Sequence, residues 1–146
     1  MTNLTLEQIA QQVQALVNAE TAVIALAESQ GETVYYAAGV GKHAAAIVGK
    51  RGATATSGLC GVAFQQEQPV LVCQTQGDPR VRQDHVAALG INSALAVPLH
   101  HQGQLLGALM VLNRQDGQPF NQEQEQQLND YAQTISSQIQ PLLEQN

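Results

Sequence analysis

The first pattern along the chain is helical. Leu6, Ile9, Val13, Leu16 and Val17 recur at spacings of three and four, and Gln8, Gln11, Gln12 and Gln14 fill the other side. Thr5 followed by Gln8 has the form of a capping box, in which each side chain accepts a backbone N–H. The pattern predicts an amphipathic helix over residues 5–19. The period then becomes extended. Residues 23–28 read as a strand, Gln30-Gly31-Glu32 as a turn and residues 33–38 as the returning strand. Gly39 and Gly41 are expected to break that strand.

One helical turn over residues 44–48 follows, then a short strand or loop over 53–57. A short helix from Ser57 or Gly58 to Gln65 precedes Pro69. Residues 70–74 then read as a strand with Val70 and Val72 on one face and Leu71 and Cys73 on the other. Asp78-Pro79 opens a new segment, and residues 83–89 fit a short helix ended by Gly90. Residues 93–99 and 105–113 flank His100-His101-Gln102-Gly103-Gln104, which predicts an antiparallel hairpin. Both arms are apolar on both faces, so both faces must be covered. Asn121 and Gln124 form a second capping-box pattern. Leu128, Tyr131, Ile135, Ile139 and Leu142 then mark the longest helix, which tolerates Pro141 only in its final turn.

Composition narrows the class. The 146 residues are 44% apolar and 12% charged, as in one packed domain spanning 1–146. Net charge is −6, with six Lys and Arg in all, and Lys50-Arg51 is the only adjacent basic pair. Neither a nucleic-acid backbone nor an anionic membrane is an expected partner. Two cysteines without a CxxC spacing make no disulfide framework. No apolar run reaches membrane-spanning length, and MTNLTLEQ lacks the basic-then-apolar order of a signal peptide. A cytoplasmic protein is expected. The predicted fold is α+β. A central antiparallel sheet of five or six strands carries the N- and C-terminal helices on one face, and short helices and loops roof a pocket on the other.

Five pieces carry a resemblance. They are Gly58-Leu59-Cys60-Gly61, Pro69-Val70-Leu71-Val72, Asp78-Pro79-Arg80, Ala96-Val97-Pro98-Leu99 and residues 107–113. Their order and spacing resemble the GAF family of small-molecule-sensing domains across nearly the whole chain. The resemblance implies a noncatalytic regulatory module whose ligand lies between the sheet and residues 78–90. The response would pass through the terminal helices, to another protein or a second subunit, since no output domain is evident. Leu6, Ile9, Val13, Ile135, Ile139 and Leu142 form stripes wide enough to cover the sheet and also pair into a homodimer.

Candidate ligand contacts are Arg80, Arg82, His85, Cys60, Cys73 and Tyr36. Arg80 and Arg82 are the only cations in the roof segment, and a guanidinium fork suits carboxylate or phosphate. Against this, Asp78 can cap its own turn and leave Arg80 solvated. Cys60 resembles one cysteine of the free methionine-R-sulfoxide reductases, a thiol-enzyme branch of the family. The nucleophile of that branch belongs in the loop before the hairpin, and residues 84–89 contain no cysteine. Cys73, in an apolar strand, is expected to be a buried small hydrophobe. The bilin-attaching branch needs a cysteine where Arg82-Gln83-Asp84-His85-Val86 has none. The cyclic-nucleotide branch is matched by Asn113, Phe120 and Glu125. Arg114 keeps the basic residue, and Gln124 replaces the acid it would pair with. Asp116 or Glu123 could substitute, and the motif then braces a strand-to-helix junction.

His100 and His101 point to opposite faces of a strand and cannot easily share a metal ion. A solvated turn explains them better. No catalytic residue, metal site or cofactor is indicated. Two other readings stay open: a reductase-like enzyme using Cys60, and a ligand-free dimerisation scaffold. Aromatic residues are 3% of the chain, which leaves room for a cavity.

Overall fold

Six strands form one antiparallel sheet in the computed structural model, which describes residues 5–144. In chain order the elements are α1 (Leu6–Leu16), β1 (Ala19–Glu28), β2 (Thr33–Gly41), α2 (Ala44–Ile47), β3 (Arg51–Ala53) and α3 (Leu59–Gln66). There follow β4 (Val70–Val72), α4 (Gln83–Leu89), β5 (Ala94–His101), β6 (Gln104–Arg114) and α5 (Gln122–Glu144). The spatial order is β3-β2-β1-β6-β5-β4.

The predicted capping box forms at α1. Thr5 Oγ1 accepts the Gln8 N–H at 3.1 Å, and Gln8 Oε1 accepts the Thr5 N–H at 2.8 Å. The helix ends at Leu16, short of residue 19, because Asn18 takes a left-handed φ of 54° and turns the chain into β1. β1 therefore starts at Ala19 and not at Val23. Gly39 and Gly41 do not break β2. A Cβ at Gly41 would stand 2.0 Å from the Glu20 carbonyl oxygen, so this glycine lets β2 close onto β1. The short strand comes earlier than expected, at Arg51–Ala53, and residues 54–56 form a 3₁₀ turn.

The hairpin turn is only Gln102-Gly103, with φ of 53° and 78°, the signature of a type I′ turn. His100 and His101 consequently lie in β5 and not in the turn. His100 Nε2 pairs with Glu67 Oε1 at 2.8 Å.

Alternation along the central strands divides the core in two. Ile24, Leu95, Val97, Leu109 and Val111 face α1 and α5, where they bury Ile9, Val13, Leu128, Ile135 and Ile139. Val23, Ala25, Ala96, Ala108 and Met110 face the roof, where they bury Leu59, Cys60, Phe64 and Val81. Both faces of the hairpin are covered, as its apolar pattern required. Ile9, Val13, Ile135 and Ile139 are 0–2% exposed within one chain. They are already committed to their own sheet and cannot supply the dimer contact expected of them. Leu6 and Leu142, at the helix ends, stay half-buried.

Candidate functional site

The roof is built from α2, α3 and a lid formed by residues 75–92. Thr75 secures both ends of that lid: its N–H donates to the Asn92 carbonyl at 3.1 Å, and its hydroxyl donates to the Ile91 carbonyl. Gln83 clasps the interior. Its Nε2 donates to the Thr75 and Asp78 carbonyls, both at 2.9 Å, and its Oε1 accepts the Gly77 N–H at 2.9 Å. Asp78 Oδ1 accepts the Arg80 N–H at 2.8 Å, the predicted local cap. Gly90 ends α4 in a left-handed conformation, φ 68°.

Beneath the lid lies an apolar cavity. Ile47, Leu59, Val81, Ile91, Met110 and Leu112 form most of its wall, with Tyr36, Ser57 and Arg82 as its polar members. It offers about 30 Å³, room for about two water molecules. The hollow lies where the sequence placed it, but Val81 and Ile91 pack down and nearly fill it. The lid rests against Gly58, which caps the start of α3 and whose added Cβ would meet Arg82 Cγ at 3.0 Å and Arg82 N at 3.2 Å.

Three of the six candidate residues gather here. Tyr36 is buried on the roof side, and its hydroxyl donates to the Ser57 carbonyl at 3.2 Å. Burial drives its phenol far above the ordinary value; Cys60 adds to the rise and the Arg82 charge opposes it. Cys60 stands one layer behind the cavity, 0% exposed, with Sγ 3.6 Å from Met110 Sδ. Burial pushes its thiol up to about 12, which leaves almost no thiolate at neutral pH. Arg82 lies at the rim and pairs with Asp84 at 2.7 Å.

The other three do not join them. Arg80 is turned back onto Asp78, 2.7 Å away, in the solvated pairing. Cys73 lies just past the end of β4 and is exposed, not the buried hydrophobe expected. Its Sγ donates to the Phe120 carbonyl at 3.5 Å, on the α5 side of the sheet. There it borders a separate polar groove of about 280 Å³ with Glu20, Lys42 and Arg114. His85 falls within α4, and its side chain lies outside the described residues. Ile47, Leu59, Ile91 and Met110 were missed as cavity residues. Their only sequence signal was apolar periodicity, which marks core equally well.

The strand-to-helix motif is structural. Arg114 pairs with Asp116 at 2.6 Å and donates to the Pro119 carbonyl at 3.2 Å, so Asp116 takes the place of the missing acid. Gln124 Oε1 accepts the Asn121 N–H at 2.9 Å, and Asn121 Oδ1 accepts the Glu123 N–H at 2.8 Å, which starts α5. Among the described residues, no three His, Cys, Asp or Glu side chains converge as a metal site, and no helix is long and apolar enough to cross a membrane.

Comparison with known proteins agrees with this geometry. The GAF domain family matches residues 2–139. The GAF domain of a phosphoenolpyruvate-protein phosphotransferase from Acinetobacter is 24% identical, with a TM-score of 0.75 over 92% of this chain and 78% of that one. The second GAF domain of DevS from Mycobacterium smegmatis is 18% identical, with a TM-score of 0.75 over 96% of this chain and 94% of that one. Free methionine-R-sulfoxide reductase from Neisseria meningitidis, solved with its substrate, is 17% identical, with a TM-score of 0.75 over 92% and 75%. No curated protein matches the chain in sequence. The chain belongs to the GAF family; at these identities the solved structures establish its fold.

Proposed function

We propose that this GAF domain is a noncatalytic regulatory module that binds a small molecule beneath the lid. The observation that carries this reading is an apolar cavity beneath a separately clasped lid, with Tyr36, Ser57 and Arg82 as its polar members. An organic ligand needs more than this 30 Å³, so it binds a lid-raised form and shifts the balance toward it. The shift can be no larger than the difference in its affinity for the two forms.

β6 offers a route for the response. Met110 lines the cavity, while its neighbours Leu109 and Val111 pack in the core beneath α1 and α5. A change at Met110 is felt across the sheet because successive side chains point to opposite faces. A partner or second copy would meet the outer face of α5, where Gln126, Asp130, Gln133 and Gln138 are exposed.

The small size of the cavity favours a second reading, a ligand-free scaffold. A reductase-like enzyme has less support: Cys60 is sealed and protonated, and the exposed Cys73 belongs to another groove. Native mass spectrometry of protein purified gently from its own cells separates the first two readings. A retained small molecule supports the sensor; a bare chain that stays bare across growth conditions supports the scaffold.

A further inference from the structure

The polar groove of about 280 Å³ shares no lining residue with the roof cavity among the described residues. Leu89 and Gly90, at the end of α4, line it together with the exposed Cys73. Two cations line it as well. Arg114 is already paired with Asp116 at 2.6 Å. Lys42 is exposed, and its side chain has no ion pair or hydrogen bond among the described residues. Glu20 lines the same groove. Its Oε1 accepts the Asn113 amide at 3.1 Å, and no cation pairs with it among the described residues.

These two charges are neighbours in the sheet. The Lys42 N–H donates to the Glu20 carbonyl at 3.3 Å, so their Cα atoms stand about 5 Å apart across the strands. Glu20 nevertheless bonds to Asn113 and not to Lys42. The groove is left with one uncompensated charge of each sign. A simple anion is drawn to Lys42 and repelled by Glu20, and a simple cation the reverse, both well inside the Debye length of about 8 Å. A molecule that carries both signs satisfies both.

We propose that this groove binds a free α-amino acid with a polar side chain, its carboxylate on Lys42 Nζ and its ammonium on the Glu20 carboxylate. An α-amino acid carries both charges on one carbon, which matches side chains rooted on adjacent strands. The amides of Gln115 and Gln118 line another part of the groove and favour a side chain that hydrogen-bonds. The site stands apart from the roof cavity and holds or fails without it.

Calorimetric titration of the full chain with serine, threonine, asparagine and glutamine tests this. Each is compared with its N-acetyl form, which lacks the ammonium, and with its α-amide, which lacks the carboxylate. At least one free amino acid should bind, and both of its derivatives at least about tenfold more weakly. Lys42→Met should weaken that amino acid at least about tenfold and erase its advantage over the α-amide. Glu20→Gln, which keeps an acceptor for Asn113, should weaken it likewise and erase its advantage over the N-acetyl form. The bound amino acid should also slow modification of Cys73 by a disulfide reagent, because that thiol lines the same groove. Should Glu20→Gln fail to fold, Lys42→Met, at an exposed position, and the derivative series carry the comparison. Binding of none of the four overturns the inference, as does a derivative that binds as tightly as its parent. A folded Lys42→Met or Glu20→Gln with full affinity and selectivity overturns it, and so does a ligand that leaves Cys73 as reactive as before.

Discussion

The side-chain amide of Asn113 donates to the Gly90 carbonyl at 3.1 Å, and this bond ties the end of the lid helix to the last strand of the sheet. The same side chain holds three further groups. Its Oδ1 accepts the N–H groups of Asn92 at 2.6 Å and Ser93 at 3.3 Å, and its Nδ2 also donates to Glu20 Oε1 at 3.1 Å. Asn113 itself adopts φ 60°, a conformation that asparagine tolerates better than most residues. One side chain thus fixes β1, the lid and the start of β5 at a common point.

Asn113→Leu should therefore lower the unfolding free energy by about 2–4 kcal/mol, since buried backbone groups lose their partners. Asn113→Asp keeps the acceptor for Asn92 and Ser93 but sets a carboxylate against Glu20 and the Gly90 carbonyl. A smaller loss of about 1–3 kcal/mol is expected at neutral pH. Urea titrations of both variants check the order. Equal stability of Asn113→Leu and the wild type would show that the lid end is held by other means.

The lid should open as a unit, with Cys60 as its reporter. Gly58 has φ 68° and ψ −136°, a region open essentially to glycine. A methyl there also strikes Arg82. In a Cys73→Ser background, which removes the exposed thiol, Gly58→Ala and Gln83→Ala should each speed modification of Cys60 by a disulfide reagent. The increase should exceed what their loss of global stability accounts for. Modification that only tracks global unfolding in both variants argues that the lid has no motion of its own.

Much of this architecture was legible in the chain. The Thr5–Gln8 capping box, the apolar arms around Gln102-Gly103 and the Asn121–Gln124 pair each predicted an element that forms. The misses have physical causes. Gly39 and Gly41 read as breakers because the sequence does not reveal a close backbone approach between strands. Cys73 read as buried because the end of β4 depends on its partner, β5, and not on its own residues. Tyr36 and Arg82 line the roof cavity, and Cys60 lies behind it against Met110. Arg80 was lost to Asp78, a local competitor that the sequence left open.

The inward stripes of the terminal helices should behave as core. Ile135→Ala is expected to cost about 2–5 kcal/mol, as for other fully buried large-to-small changes. The dependence of the urea midpoint on protein concentration should be the same in the wild type and the variant, because Ile135 is buried within one chain. A dependence that Ile135→Ala abolishes would mean that the inward stripe takes part in association.

Alkaline pH should weaken the fold through Cys60 before Tyr36. The thiol is raised by burial from its ordinary value of 9.0 to about 12. Between those values the unfolded chain has released this proton and the folded chain has not, so the unfolded state binds fewer protons. Stability must then fall as pH rises. The contribution is fully present below pH 9 and fades toward 12, at up to about 1.4 kcal/mol per pH unit and about 4 kcal/mol in all. Tyr36, raised from 10.0 by the same burial, adds a second proton to the slope above that value. Cys60→Ala removes the first contribution and should flatten the fall between pH 9 and 10. The difference between the two curves isolates the thiol from the lysines and other groups that titrate in both. Parallel curves for the wild type and Cys60→Ala across that interval would mean that water already reaches the thiol in the folded protein. The lid would then be open far more often than its clasps suggest.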